Sequence, residues 1–433
     1  MIGAARLATT GPVDRTAARM EACAPMRSAY GRVIPAEDAR LTHVGAGTPA
    51  GELLRRYWQP VALSAEVAEL ARRVRVLGED LVLFRSGDGS VSALDLHCPH
   101  RGTSLEYGRV ERGGIRCCYH GWLIDGDGRV TDMLCEPAGT ATRLGIDQPG
   151  YPARELGGLV FLYMGPPDRE PHLPRLDVFD RPDVELRAAR LWGEYGIGYV
   201  RDCNWLQHLE NVVDPWHLLA LHTEISGAQF GGVMAQRDRP DIAMETTGVG
   251  VRYVVHRPIP NGNLLRRCTE IVFPNVALIP NIHESGVVPK ERDAPTDITW
   301  VVPIDDTHVT ALTMLAVPLV DGVADPAFRP GTDTETRDEA GALIRPGFRP
   351  DRSYEDRQRR PDDMEAQESQ RPIAVHALEH LVSSDRGVLL YRRQLAQQIA
   401  AVEDGTDPLN VRRPPAADLA LATNAYNRVT VSG

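Results

Sequence analysis

Short apolar runs, broken by glycine and polar turns, fill the first third of the chain. Arg73-Val74-Arg75-Val76-Leu77-Gly78 and Asp80-Leu81-Val82-Leu83-Phe84-Arg85 are rich in apolar and β-branched residues and read as strands. Ser86-Gly87-Asp88-Gly89 is a turn, Val91 to Leu96 another strand, and Asp125-Gly126-Asp127-Gly128 a further hairpin turn. Leu159-Val160-Phe161-Leu162-Tyr163-Met164 is a buried strand that Gly165-Pro166 stops. Before these, Gly51 to Trp58 has the spacing of a short amphipathic helix, where ordered structure is expected to begin. Residues 45–168 are thus expected to form a small antiparallel β domain with two loops at one end. Pro166-Pro167 and the proline-rich stretch to Pro174 mark a linker. Beyond it, Val200 to Thr223 carries helical signals, and Val251 to Val317 alternates as several strands do. Asp325 to Pro361 reads as a long polar surface segment, and Asp363 to Glu403 as helix ending near Asp404-Gly405. The expected class is α+β: an N-terminal arm over 1–44, a β domain over 45–168 and an α+β domain over 169–433.

Composition narrows the function more than the fold. The 433 residues are 42% hydrophobic and 25% charged, the balance of an ordinary globular chain. A net charge of −11 argues against a broad nucleic-acid face but leaves room for a local basic pocket. No apolar run approaches the roughly 18 residues of a membrane span. The seven cysteines are scattered and odd in number, which points to free thiols in a reducing compartment and a cytoplasmic location. The first 35 or so residues are rich in Ala and Arg, but Asp14 and Glu21 count against a transit peptide, so they are expected to form a loose arm.

The chemistry lies in two constellations. Cys98-Pro99-His100 and Cys117-Cys118-Tyr119-His120 give Cys-x-His, sixteen residues, then Cys-x-x-His. Two thiolates on one iron and two imidazoles on the other make a Rieske [2Fe-2S] cluster. A zinc site uses the same residue types, but zinc fingers keep their Cys pair and His pair apart, whereas each loop here carries one of each. Gly102 and Gly121 follow the histidines where the backbone must turn. Cys118 is expected to pack nearby and not to bind.

The second constellation is Glu210-Asn211-x-x-Asp214-x-x-His217-x-x-x-x-His222. Two His and one carboxylate on one face leave positions on a non-haem Fe(II) open for O2 and substrate. Five residues advance an ideal α-helix about 500°, so His217 and His222 share a side only where the helix breaks, ends or widens into a π-turn. The plainer reading is two ordinary histidines on a helix with an apolar face; an upstream electron donor, which needs an acceptor, weighs against it.

With both constellations, the chain resembles the catalytic component of the Rieske non-haem iron oxygenases. Gly47-Thr48-Pro49 to Tyr57-Trp58-Gln59-Pro60-Val61 looks like the branch of phthalate and phenoxybenzoate dioxygenases and aromatic O-demethylases. The resemblance implies a helix-grip-like catalytic domain. It assigns Cys98, His100, Cys117 and His120 to the cluster and His217, His222 and Asp363 to the iron, with Asp362 the alternative acid; either could instead cap a helix. It makes Asp214 the acid that meets a neighbouring subunit's cluster histidine in a homotrimer, and Asn211 an amide close to the iron. It implies a separate NADH-dependent reductase, of flavin and possibly ferredoxin type, with O2 and a small aromatic substrate. Pro215-Trp216 departs from the Ser common after the bridging Asp in phthalate-type members, which weakens any claim for phthalate itself. No GxGxxG follows a strand, so no dinucleotide site is expected here. An aromatic carboxylate would need a cation; Arg201, Arg237, Arg239, Arg252, Arg266 and Arg267 lie in the catalytic half, and the sequence does not choose among them. Trp216, Leu221, Phe230 and Phe273 are possible pocket walls. A cluster-only electron carrier would be far shorter and lack the second ligand set, whereas dihydroxylation and O-demethylation need the same iron ligands and are not separated.

Overall fold

The computed structural model describes residues 29–190, 200–227, 229, 232–259, 262–280, 291–326, 328, 336–337, 343–344, 352–415 and 419–430. Residues 1–28 of the arm, Phe230 and most of the 325–351 stretch lie outside them. Residues up to Ala36 form one unit and Glu37–Gly433 the other. In the first, Tyr30 and Val33 are exposed.

Packed structure begins earlier than residue 45. Helix α1 (Ala39–Thr42) buries Leu41, and Val44 is fully enclosed. Arg40 pairs with Glu403 at 2.6 Å, and Asn204 Nδ2 donates to the Thr42 carbonyl at 2.8 Å. Helix α2 (Pro49–Leu54) starts with proline at its first position, where no amide proton is needed, and buries Leu53 and Leu54.

Strands β1 (Trp58–Leu63), β2 (Arg72–Val76), β3 (Glu79–Arg85) and β4 (Val91–Asp95) follow, then the short β5 (Arg109–Glu111), β6 (Gly114–Arg116), β7 (Trp122–Ile124) and β8 (Val130–Met133). Helix α3 (Thr140–Leu144), β9 (Gly150–Tyr151), β10 (Ala153–Leu156) and β11 (Leu159–Tyr163) complete the N-terminal half. They form three antiparallel sheets: β1-β11-β10, β2-β3-β4-β9 and β5-β6-β7-β8. The third stacks on the second through a separate small core of Val82, Phe84, Leu94, Leu96, Ile115 and Ile124, to which Cys98 and Cys117 belong.

The C-terminal half is one large antiparallel sheet. Its path is β12 (Val184–Ala189), β19 (Val309–Val320), β18 (Asp297–Pro303), β17 (Val276–Ile279), β16 (Leu264–Val272), β15 (Gly250–Pro258) and β14 (Asp241–Thr246), with β13 (Val200–Arg201) on β19. Helices α4 (Trp205–Val212), α5 (Trp216–Leu219), α6 (Tyr354–Arg359), α7 (Asp363–Glu368) and α8 (Arg386–Glu403) accompany it, and α8 packs on β14 and β15. The predicted helix over 363–403 is two helices: Arg371 takes φ 92° and Pro372 follows, so the first helix cannot continue. The predicted linker is packed in place: Pro171 is buried, and its carbonyl accepts from Trp58 Nε1 at 3.0 Å. Leu176 and Val178 are buried in a core that runs without a break from Trp58 and Leu162 to Leu206 and Trp300, so the two halves share one interior.

Candidate active site and cluster loops

The two cysteine-histidine loops close in the same way. Cys98 N donates to Thr103 O at 2.9 Å and Gly102 N to Cys98 O at 2.9 Å; Cys117 N donates to Trp122 O at 2.9 Å and Gly121 N to Cys117 O at 3.0 Å. Gly102 (φ 74°) and Gly121 (φ 69°) supply the left-handed residue that each closure requires. At Gly121 a side chain has no room: a Cβ there would stand 2.5 Å from the Cβ of Leu134. Both thiols are buried while His100 is exposed and His120 half-buried. The imidazoles lie 4.4 Å apart between ring centres, and His100 stacks on Trp122 at 4.7 Å and 8°. Burial and then the neighbouring Cys117 thiol push the Cys98 thiol up to about 11. Two buried sulfurs and two outward imidazoles are the donor set of a two-iron cluster with its histidine side at the surface. Cys118, expected to pack beside the loop, is exposed instead.

The second site sits where three elements meet. Asn204 caps α4, its side chain accepting from Leu206 N at 3.0 Å. After α5 the chain widens into π-helix over Ala220–Ile225, with Thr223 Oγ1 donating to Leu218 O at 3.0 Å and Ser226 N to Leu221 O at 3.1 Å. Of the three ways the five-residue spacing left open, the chain takes the π-turn, and the rings of His217 and His222 stand 5.3 Å apart. The acid comes from far along the chain. Asp362 is the N-cap of α7: its carboxylate accepts from Asp363 N at 2.6 Å, and Glu365 returns the bond to Asp362 N at 2.8 Å. The capping is thus done by Asp362, and the Asp363 side chain faces the histidines, 3.7 Å from His217 Nε2 and 3.4 Å from His222 Nε2.

The ligand atoms of His217, His222 and Asp363 lie within 4.8 Å of one another, close enough for one metal ion. The surrounding bonds fit that ion. His217 Nδ1 pairs with the Asp214 carbonyl and His222 Nδ1 with Gln229 Oε1, which leaves both Nε2 atoms on the Asp363 side. Asn211 Nδ2 donates to Asp363 Oδ1 at 2.9 Å. Burial opposes charge on Asp363, but His222, His217 and the buried Arg201 guanidinium hold it well below the ordinary carboxylate range. Burial lowers and Asp363 raises the proton affinity of His222; the acid wins, taking it to about 9. Asp214 stands beside this group with its side chain 29% exposed, accepting from Trp216 N at 2.8 Å. A second trio, Glu210, His376 and Glu379, is also compact, but Arg392 pairs with both acids at 2.5 Å.

Gln229 was not legible in advance, since no fixed spacing ties it to the histidines. The arginines divide clearly. Arg252 pairs with Glu245 and Arg237 lies near Glu224, Arg239 lies over the Trp216 ring at 4.8 Å, and Arg266 is exposed. Arg201 and Arg267 are buried, as is Arg257, which the sequence did not single out. Trp216 packs with Tyr253 and Val255 on the sheet, whereas Phe273 lies in the main core with Tyr57 and Tyr391.

Residues 57–146 match the model of the Rieske [2Fe-2S] domain. Over 390 residues the chain is 41% identical to the phenoxybenzoate dioxygenase subunit alpha of Ectopseudomonas oleovorans, covering 89% of this chain and 90% of that one. It is 36% identical over 385 residues to the oxygenase subunit of a tert-butanol monooxygenase / tert-amyl alcohol desaturase from Aquincola tertiaricarbonis, covering 87% and 79%. Among solved structures, NdmA of Pseudomonas putida CBB5 with caffeine superposes with a TM-score of 0.57 at 17% identity over 85% of this chain and all of that one, a likeness of fold. Among the described residues no helix is long and apolar enough to cross a membrane. An identity above two-fifths along nearly the whole length of both chains, with the cluster domain at its N-terminal end, makes this chain a member of the Rieske non-haem iron oxygenases: the oxygenase component of a multicomponent system, with a [2Fe-2S] cluster and a mononuclear iron, in the phenoxybenzoate and phthalate dioxygenase branch.

Proposed function

We propose that the chain oxygenates a small aromatic substrate, most readily one bearing a carboxylate. Cys98, His100, Cys117 and His120 would hold a cluster that accepts electrons from an NADH-dependent reductase, and His217, His222 and Asp363 would hold the iron that uses them. The observation that carries this reading is the compact two-histidine, one-carboxylate group with both Nδ1 atoms already engaged, in one chain with the cluster loops. Three protein ligands on one side would leave the iron open positions at which it binds and reduces O2. The protein's own part is positional. The Asp214 carbonyl and Gln229 fix the two imidazole planes, Asn211 fixes the carboxylate, and Trp216 and Leu218 pack against the sheet on either side of His217 in sequence. Asp214, half-exposed beside His217, suits contact with a cluster histidine of a neighbouring copy, and family resemblance supports a homotrimer in which electrons cross between copies.

The test is turnover with an NADH-dependent reductase on 3-phenoxybenzoate, phthalate and methoxybenzoates, following O2 uptake, hydroxylated products and formaldehyde. A ring diol supports dihydroxylation. Formaldehyde in step with NADH assigns the same site to O-demethylation. NADH oxidation unchanged by every aromatic compound, with oxidation of a tertiary alcohol, would overturn the aromatic assignment.

A further inference from the structure

Arg257 is enclosed in the catalytic half, 3% exposed. Among the described residues its Nη1 donates a long bond to the Gln236 carbonyl at 3.4 Å, and its Nε has no acceptor. Burial lowers its proton affinity, and among the described residues no carboxylate pairs with it. A buried cation without a counter-ion is costly, and proteins keep one where an anion completes it. Arg267, also enclosed, lies close enough to feel Arg257's charge, and it bonds Asn427 Oδ1 at 3.1 Å.

The register of the sheet says where these side chains stand. Arg257 lies opposite Leu265, and Arg267 opposite Val255, so the two arginines are diagonal neighbours on one face. Tyr253 and Val255 on that face pack with Trp216, and Leu265 and Ile259 pack with Leu218. Trp216 and Leu218 flank His217 in sequence. The arginines therefore project from the sheet into the layer covered by the segment that carries His217. We propose that Arg257, with Arg267 beside it, binds the carboxylate of the organic acid that this oxygenase acts on, and so selects acids over neutral molecules. This rests on the oxygenase reading above. A guanidinium meets a carboxylate through two parallel N–H donors, and here the pair would form out of water, where it discriminates most.

The test is equilibrium binding to the full holoprotein of benzoate, phthalate and 3-phenoxybenzoate, each paired with its neutral amide. The parent is expected to prefer at least one acid over its amide by tenfold or more. Arg257→Met should lose that preference while its amide affinity changes less than twofold, Arg257→Lys should fall between, and Arg266→Met, on the opposite face, should behave as the parent. Cluster absorbance checks that each variant is folded. A parent indifferent to charge, or an Arg257→Met protein that still prefers acids, overturns the assignment. Oxygen-dependent reoxidation of the reduced cluster in the parent, with acid or amide present, reports separately on the oxygenase reading: its presence without acid preference sinks only the role of Arg257.

Discussion

Gln229 makes the sharpest prediction at the metal site. Its Oε1 accepts from His222 Nδ1, and its Nε2 donates to Asp362 Oδ2 at 3.2 Å. The other oxygen of Asp362 holds the amide of Asp363. A single side chain thereby links the segment that carries His222 to the one that carries Asp363, which lie far apart in sequence. Removing such an outer partner costs ~10–100-fold in metal affinity, or about 1.4–2.8 kcal/mol. Gln229→Leu should fall in that range, measured by Fe(II) titration under anaerobic conditions, with cluster absorbance unchanged. The swap is more telling. Gln229→Glu sets two carboxylates face to face, and Asp362→Asn sets two amides face to face, so each single change should weaken iron binding. The double variant restores one donor and one acceptor and should regain most of the affinity. Single variants within twofold of the parent, or a double variant no better than the product of its singles, would refute the linkage.

Asp214→Asn should keep cluster and iron while slowing turnover at least tenfold, read as slow reoxidation of the reduced cluster; unchanged turnover would end the bridging role. Gly121→Ala should cost iron at the cluster without loss at the second site, because a Cβ would collide with Leu134 and a non-glycine residue at φ 69° adds about 1–2 kcal/mol of strain; the iron-to-protein ratio reports it. Burial holds the His208 imidazole near 4 against an ordinary 6.5, so the folded state refuses a proton that the unfolded chain accepts. Its contribution is therefore intact above pH 6.5 and is lost as pH falls toward 4, about 3 kcal/mol in all. His208→Gln should flatten that part of the urea-stability profile, and an unchanged slope would show that other groups carry it.

The chemistry of the chain was legible where it depends on local spacing. The two cluster loops and the need for a break, an end or a π-turn between His217 and His222 follow from counting residues, and so do the strands from Arg73 to Leu96. What escaped depends on contacts distant in sequence. Residue type alone does not separate Asp362 from Asp363, between which the resemblance chose Asp363, whereas the capping geometry of α7 does. Gln229 reaches His222 through a chain reversal that no periodicity marks. Arg257 looks like any polar residue in an alternating strand, and its burial exists only because helices cover that face. The arm was drawn too long because Leu41 and Val44 are isolated apolar residues whose partners lie elsewhere in the chain.

The π-helical turn also bears on how this protein would fail. A widened turn holds its backbone less tightly than regular helix, and ligand-bearing segments open more readily than cores such as the one around Trp205 and Trp300. On warming or ageing, Ala220–Ile225 should loosen before the sheets do and carry His222 away from its partners. Inactivation would then begin as leakage of iron from a protein that is still folded and still coloured. Such a preparation is depleted, not denatured, and ferrous salt and a reductant should revive it where refolding would do nothing.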